Sequence, residues 1–432
     1  MGARTTALAA LIACRKQGAW ADGVLKEYIV RDRLDRRDAA LASRLCYGVL
    51  QNRTLLDYYI QQCLTGSMKK LQPVVLDILR LGMYQLLFLD KVPVSAAVNE
   101  AVEQTKKYAN RSASGLVNGV LRHAARERDI LKEPTELSVR YSHPKELVEL
   151  LQASVGEDQI EGLLASHNMA PKTVIQVNTL ISSDEAVLQA LEDAGAVVEA
   201  HPWMAHAYYI GGFGNLERMD LFRDGAFFVQ DPAARLAVEA AGLKPEMEVL
   251  DACSAPGGKS FAASLAMENR GSITSCDIHE HKIELLRKGA ERLHIDIMHP
   301  MLQDASKHVP EWENRFDTVI ADVPCSGLGV IRKKPDIRYK ELGGLERLPE
   351  VQKRIISNVC SYVKPGGVLL YSTCTILKRE NEEVIHWFLE KHPDFCLERF
   401  DAMGEQTNGM LTLLPSIHET DGFFICKLRR DP

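Results

Sequence analysis

A chain of 432 residues is longer than one hydrophobic core usually supports, so two or three domains are expected. Hydrophobic residues make up 46% and charged residues 25%, a globular balance that excludes a mostly disordered, collagen-like or low-complexity protein. The net charge of -6 conceals a division: residues 1–128 hold 20 Lys and Arg against 11 Asp and Glu, a net of +9, whereas residues 129–432 hold 32 against 47, a net of -15. A basic segment joined to an acidic body points to a polyanion-binding module beside something else; a merely solvated basic surface is the plain alternative.

Residues 1–128 read as helical. Apolar residues recur at three- and four-residue spacing through Leu41, Leu45 and Val49, then Leu55, Leu56, Tyr59 and Ile60. Pro73 can open a helix that runs to Leu89, Ala96 to Tyr108 resumes the period, and Val117 to Ala125 ends a helical bundle. Residues 129–225 are mixed: Glu146 to Leu151 and Glu185 to Ala194 look helical, and Thr173 to Asn178 and Ala207 to Ile210 look like strands of a small α+β domain. From 226 to 432, short apolar strands alternate with helices. The strands end in Asp251, Asp277 and Asp322, in the stretch before Asp304, and in Ser372-Thr373-Cys374, and Gly422 to Leu428 can add an antiparallel strand. That alternation indicates a mostly parallel α/β sheet covered on both faces, in which ligands sit beyond the carboxyl ends of the strands.

No apolar run reaches the roughly 18 residues that span a bilayer, because Val74–Leu89 is broken by Asp77 and Arg80. Leu8 to Ala13, before Arg15 and Lys16, is too short for a signal segment. None of the ten cysteines lies within four residues of another, so no CxxC pair for zinc, iron–sulfur or redox chemistry is present and no metal site is expected. A cytoplasmic protein that makes no membrane contact is expected.

The turn Asp251-Ala252-Cys253-Ser254-Ala255-Pro256-Gly257-Gly258-Lys259-Ser260 follows a strand and opens a helix, where free N–H groups face an anion. A phosphate-binding P-loop needs a glycine five residues before Gly258, but Cys253 is there, and a GxGxxG dinucleotide turn is absent. An S-adenosylmethionine turn remains, against an ordinary strand-to-helix turn. Asp277 at the next strand end suits ribose hydroxyls, and Asp304 at the third can meet an adenine amino group. Taken singly, each is as readily a helix cap.

Cys325, in Asp322-Val323-Pro324-Cys325-Ser326-Gly327, and Cys374, in Ser372-Thr373-Cys374-Thr375, follow neighbouring strands of such a sheet, so both thiols can face one pocket. Methylation of a pyrimidine at carbon 5 uses such thiols. A thiolate adds to carbon 6, carbon 5 becomes enamine-like and accepts the methyl, and a base then removes the carbon-5 proton as the thiol leaves. Asp322 is placed to favour cytosine through ring nitrogen 3 and the exocyclic amine. The base must be unstacked to reach the pocket.

Together Asp251–Lys259, Asp322–Gly327, Ser372–Thr375, the Gln230-Asp231-Pro232 stretch and His418 to Phe424 resemble the RNA cytosine-5 methyltransferase family. Residues 1–128 resemble the antitermination factor NusB, notably Asp38 to Leu50 and Asn99 to Val102 through Val117 to Leu121. The resemblance implies a NusB-like RNA-binding bundle and a Rossmann-like class I methyltransferase using S-adenosylmethionine, with 16S rRNA as partner. A monomer with no obligate protein partner is expected. Carried over by position, it implies cofactor contacts at Cys253, Ser254, Ala255, Pro256, Gly257, Gly258, Lys259, Asp277, Asp304 and Asp322. Ser254 stands where that family often carries alanine, a change expected to be harmless. In DNA cytosine methyltransferases the Pro-Cys cysteine attacks, which would point to Cys325. In the RNA family the Thr-Cys one does, which makes Cys374 the nucleophile and leaves Cys325 to help release the product. Lys259 can serve the pocket or merely pack. The alternatives are an RNA-binding scaffold without catalysis and a P-loop nucleotidase. RNA contacts are expected among Arg31, Arg33, Arg36, Arg37, Lys106, Lys107, Arg111 and the Arg332-Lys333-Lys334 cluster.

Overall fold

The computed structural model describes residues 2–212 and 216–432. The chain divides into two compact units, Met1–Met169 with Ile331–Lys340, and Ala170–Val330 with Glu341–Pro432.

The first unit is helical. Asp35 caps the helix Arg36–Gln51 by accepting from the Asp38 N–H, and Pro73 occupies the first turn of Pro73–Phe88, where its missing N–H costs nothing. Pro73–Phe88 is buried on nearly every side, including its two charged residues. Asp77 and Arg80 are buried as a pair, Arg80 Nη1 lying 3.2 Å from Asp77 Oδ1 and Arg80 also binding Asp57 at 2.7 Å through two nitrogens. Around it pack Ala3–Gln17, Arg53–Cys63, Val94–Tyr108 and Ala113–Arg126. No described helix is long and apolar enough to cross a membrane.

Residues 331–340 complete this unit. Arg338, only 1% exposed, donates to the carbonyls of Gln51 and His167 at 2.8 Å and to that of Tyr141 at 3.3 Å. Its charge acts on a buried imidazole pair, His143 Nε2 standing 3.1 Å from His167 Nδ1. Burial first, and Arg338 second, hold both imidazoles well below their usual range, so they are neutral.

Among the described residues, the second unit contains two main sheets and a two-stranded ribbon. In the smaller, β1 (Thr173–Val177), β2 (Val197–Ala200), β3 (Ala207–Gly211) and β4 (Phe227–Val229) run antiparallel in the order β2-β3-β1-β4. The helix Asp184–Asp193 is capped by Ser183. In the larger, β5 (Glu248–Asp251), β6 (Ser272–Asp277), β7 (Met298–Leu302), β8 (Phe316–Asp322) and β9 (Val363–Thr373) are parallel in the order β9-β8-β5-β6-β7. An antiparallel edge follows. After β10 (Phe395–Leu397) come the two-residue strands β11 (Asp401–Ala402) and β12 (Glu405–Gln406), which pair only with each other, then β13 (Met410–Leu413) and β14 (Phe423–Arg430). β14 pairs with β9, β10 and β13.

Alternation along the strands builds two cores. Val249, Ile273, Ile320 and Leu370 face the helices Pro232–Ala241, Gly258–Ala266 and Glu280–Arg292. Leu250, Val319, Leu369 and Tyr371 face Leu348–Val359 and Glu382–Lys391. With both faces covered, the exposed end of the parallel strands is their carboxyl edge, and the chain order reverses there beside β5.

Candidate active site

β5 delivers a fully buried Asp251 to the sheet edge, where Ser260 Oγ donates to its Oδ2 at 2.7 Å and Oδ1 has no hydrogen-bond partner among the described residues. Burial pushes its carboxyl up to about 7, against the Ser260 hydrogen bond and the Lys259 charge. The turn beyond it is tied down internally: the Ser254 N–H and Oγ both donate to the Cys276 carbonyl, at 2.7 and 2.9 Å, and the Gly257 N–H to the Ser254 carbonyl at 2.8 Å. The serine hydroxyl at 254 thus adds a bond that alanine lacks. Gly257 adopts φ 113° and leads into the helix Gly258–Ala266, and a Cβ there would sit 2.4 Å from the Phe261 ring. Gln230 Nε2 braces the turn by donating to the Gly258 carbonyl at 2.8 Å. Cys253 and Ala255 are half-buried, Pro256 is exposed, and burial raises the Cys253 thiol well above its usual range.

Asp277, buried at the end of β6, accepts from the His279 N–H at 3.1 Å and lies 3.3 Å from Lys282 Nζ. Asp304 lies past β7. Its Oδ1 accepts from the Ser306 hydroxyl at 2.7 Å and N–H at 2.9 Å, and those bonds hold its carboxyl low. These residues fit S-adenosylmethionine. A left-handed glycine beside a helix N-terminus leaves room for an anion, a carboxylate ends the second strand, and an unpartnered buried oxygen of Asp251 faces the same edge.

At the ends of β8 and β9 the polar groups converge. Asp322 Oδ1 accepts from Ser372 Oγ at 2.8 Å, and Oδ2 accepts from Lys259 Nζ at 2.7 Å. Lys259 is 8% exposed and lies 4.9 Å from the centre of the Phe423 ring. Burial alone would discharge it, but Asp322, and then Asp251, outweigh that and raise its pKa. The Cys325 and Cys374 Sγ atoms are 3.2 Å apart. A hydrogen bond from Cys325, joined by the Lys259 charge, lowers Cys374 against burial and Asp322. The same bond, then burial and the Cys374 and Glu380 charges, raises Cys325. Of the pair, Cys374 is thus shifted toward the thiolate and Cys325 away from it.

Sequence reasoning missed the residues that hold these loops. Glu380, wholly buried, accepts from the Ser326 N–H and from Gln352 Nε2, both at 2.9 Å, while Gln352 also donates to the Pro324 carbonyl at 3.0 Å. Asn381 Oδ1 accepts from Thr373 Oγ1 at 2.6 Å, and its Nδ2 donates to the Thr375 carbonyl at 3.0 Å. Ser326 and Thr375 share a hydroxyl bond at 2.8 Å. The Gly329 N–H donates to the Cys374 carbonyl at 3.0 Å and the Gly422 N–H to the Gly329 carbonyl at 2.9 Å, knitting the loops before β14 and after β8 and β9. The one signal available in the sequence was a run of polar residues, Lys378 to Glu383, directly after the Thr-Cys motif. Of the expected RNA contacts, Arg33, Arg36, Arg37 and Arg111 are exposed, while Arg31 pairs with Asp32 and Lys106 with Glu103.

Comparison with known proteins agrees with this architecture. Residues 240–429 match the model of the 16S rRNA methyltransferase RsmB/F family, residues 1–126 that of the NusB family, and residues 143–216 that of the RsmF/B-like ferredoxin-like domain. The crystal structure of PH0851 superposes with a TM-score of 0.81 over 98% of both chains at 26% identity. A methyltransferase homolog from Pyrococcus horikoshii shares the fold, with a TM-score of 0.60 over 68% of this chain and 97% of its own. The chain is 32% identical to a probable ribosomal RNA small subunit methyltransferase B of Synechocystis, with all of both chains covered. It is 37% identical to the probable ribosomal RNA small subunit methyltransferase B of Bacillus subtilis, across 99% of this chain and 98% of that one. With a NusB-like helical region, a ferredoxin-like segment and a Rossmann-like domain in one polypeptide, the chain belongs to the family of ribosomal RNA small subunit methyltransferases B.

Proposed function

We propose that this protein methylates carbon 5 of a cytosine in 16S rRNA through a transient bond between Cys374 and carbon 6 of that base. The observation that carries the reading is the pair of thiols 3.2 Å apart beside a buried Lys259–Asp322 pair. S-adenosylmethionine, when bound, supplies an electrophilic methyl group. The turn Cys253 to Lys259, with Asp277, Asp304 and Asp322, would hold it. Residues 1–128 serve RNA binding, 129–225 form a small intervening domain, and 226–432 are the catalytic domain.

Cys374 reacts as its thiolate. The Cys325 S–H and the Lys259 ammonium stabilise that anion, so it exists at a pH where an ordinary buried thiol would stay protonated. Its sulfur adds to carbon 6, and the electron pair of the 5,6 double bond moves toward carbon 5, which then accepts the methyl. Negative charge spreads onto the pyrimidine, and Asp322, already accepting from Lys259 and Ser372, keeps lone pairs for a hydrogen of the cytosine exocyclic amine, which orients the base. In release, a base takes the carbon-5 proton, the C5–H electron pair re-forms the double bond, and the Cys374 sulfur leaves with the C6–S pair. We assign Cys325 to this last step.

Two substitutions test the assignment. Cys374→Ala should abolish transfer of labelled methyl to 16S rRNA. Cys325→Ala should accumulate a protein–RNA adduct that survives denaturing electrophoresis. Full activity in Cys374→Ala, with a simply inactive Cys325→Ala, would reverse the two roles. Bisulfite mapping of 16S rRNA from a strain lacking the protein should lose one 5-methylcytosine.

A further inference from the structure

The helical unit holds a cavity of about 290 Å³ with more cations than carboxylates in its wall: Arg15, Arg53, Arg80 and Lys340 face it, against Asp77 and Asp336. Two of these cations are neutralised within the wall. Arg15 binds Asp77 at 2.8 Å, and Arg80 spans Asp77 and Asp57. Asp336 accepts from the Ala21 N–H at 3.1 Å. The Lys340 ammonium lies over the ring of Trp20. Arg53 is different. It is half-buried, it makes no hydrogen bond or ion pair with any described residue, and its guanidinium stands 4.9 Å from the centre of the Tyr339 ring.

A guanidinium in that position is short of a partner. Burial, and then the like charge of Arg80, press its pKa downward, and the Tyr339, Asp57 and Asp77 charges only partly oppose them. An anion entering the cavity would offset both effects by supplying a direct counter-charge and filling the donor fork. A phosphate suits the fork geometry and, with part of a sugar, suits the volume, and Leu11, Val49 and Leu50 offer apolar wall for that sugar.

We infer that this cavity is a phosphate-binding site with Arg53 as its principal donor, and that the phosphate it takes belongs to the RNA backbone. The inference deepens the proposed function by locating one RNA contact of the helical unit. Its RNA arm rests on that reading, whereas its phosphate arm does not.

The test uses the full-length protein. Binding of a 16S rRNA transcript is measured at several chloride concentrations, for wild type, Arg53→Gln and Arg53→Lys, with and without inorganic phosphate. Binding of inorganic phosphate alone is followed by calorimetry. In the wild type, inorganic phosphate should bind and compete with RNA. Arg53→Gln should lose phosphate binding, weaken RNA binding at least fivefold, and reduce the slope of log K against log salt by about one. Arg53→Lys should keep part of both affinities, and it carries the test if circular dichroism shows that Arg53→Gln has not folded. Phosphate binding that disappears in Arg53→Gln with RNA affinity unchanged would overturn the RNA source and assign the cavity to a free phosphorylated ligand. A wild type that neither binds inorganic phosphate nor releases RNA to it would overturn the site. S-adenosylmethionine affinity and the Cys374→Ala result report separately on the methyl-transfer reading.

Discussion

The Lys259 ammonium binds one carboxylate, Asp322 at 2.7 Å, and lies over one aromatic ring. It holds the half-buried Asp322 carboxylate in a short ion pair and favours the anion on Cys374. Lys259→Met removes both effects. The pH midpoint for alkylation of Cys374 by iodoacetamide, followed by peptide mass spectrometry, should move up by about one unit. Stability should fall by about 2 kcal/mol, because Asp322 loses its partner while staying partly solvated. An unmoved alkylation profile would mean that another group ionises the thiol. Asp251 offers a second test. Its folded carboxyl titrates near 7, above its unfolded value of 3.8. Between those pH values the unfolded chain gives up a proton that the folded chain keeps, so stability falls as pH rises from about 4 to about 7 and is fully present only below the unfolded value. Fully buried, the group can account for a loss on the order of 4 kcal/mol. Asp251→Asn should flatten this part of the profile in urea denaturation without cofactor, and superimposable profiles would refute the role of burial. The residues that end strands were legible in the sequence because an apolar run stopping at Asp or Cys is visible in one dimension. Glu380, Gln352 and Asn381 were not legible: each reaches a loop through folded space, and nothing in its sequence neighbours says which loop.

At the scale of elements, three loops of the candidate site cross at backbone distance. A Cβ on Gly329 would lie 1.8 Å from the Gly422 carbonyl oxygen and 2.8 Å from that of Cys374. Neither obstacle is a side chain that can swing aside. Gly329→Ala should therefore separate the loops, cost about 3 kcal/mol in thermal or urea unfolding, and depress methyl transfer more than S-adenosylmethionine binding. Wild-type activity in that variant would show that the crossing is dispensable. The parallel strands, and the adjacency of the two whose ends carry Cys325 and Cys374, could be argued from alternation. The strands β2, β4, β10 and β13 escaped notice. Their runs are short, and β2 is largely exposed, so neither length nor periodicity marks them out.

For the molecule as a whole, residues 331–340 matter most. Read along the chain, Arg332, Lys333 and Lys334 suggested a charged surface, yet Arg338 four residues on is among the most buried side chains. An arginine satisfied by carbonyls instead of carboxylates leaves no charge pattern to find. Arg338→Met keeps much of the volume but strips the carbonyls of Gln51 and His167 of their donor. It should lower the unfolding free energy by about 2–4 kcal/mol, read from urea midpoints. A variant as stable as wild type would show that the buried charge costs as much as its hydrogen bonds return. Because this stretch belongs with Met1–Met169, the helical unit is discontinuous in the chain. Its amino-terminal helices emerge from the ribosome first, but they must wait for Lys340 to be translated before the last piece can dock. Until then His143 and His167 face an unfilled gap, so a nascent-chain complex stalled before Ile331 should be cut by protease at sites that a chain stalled well beyond Lys340 protects.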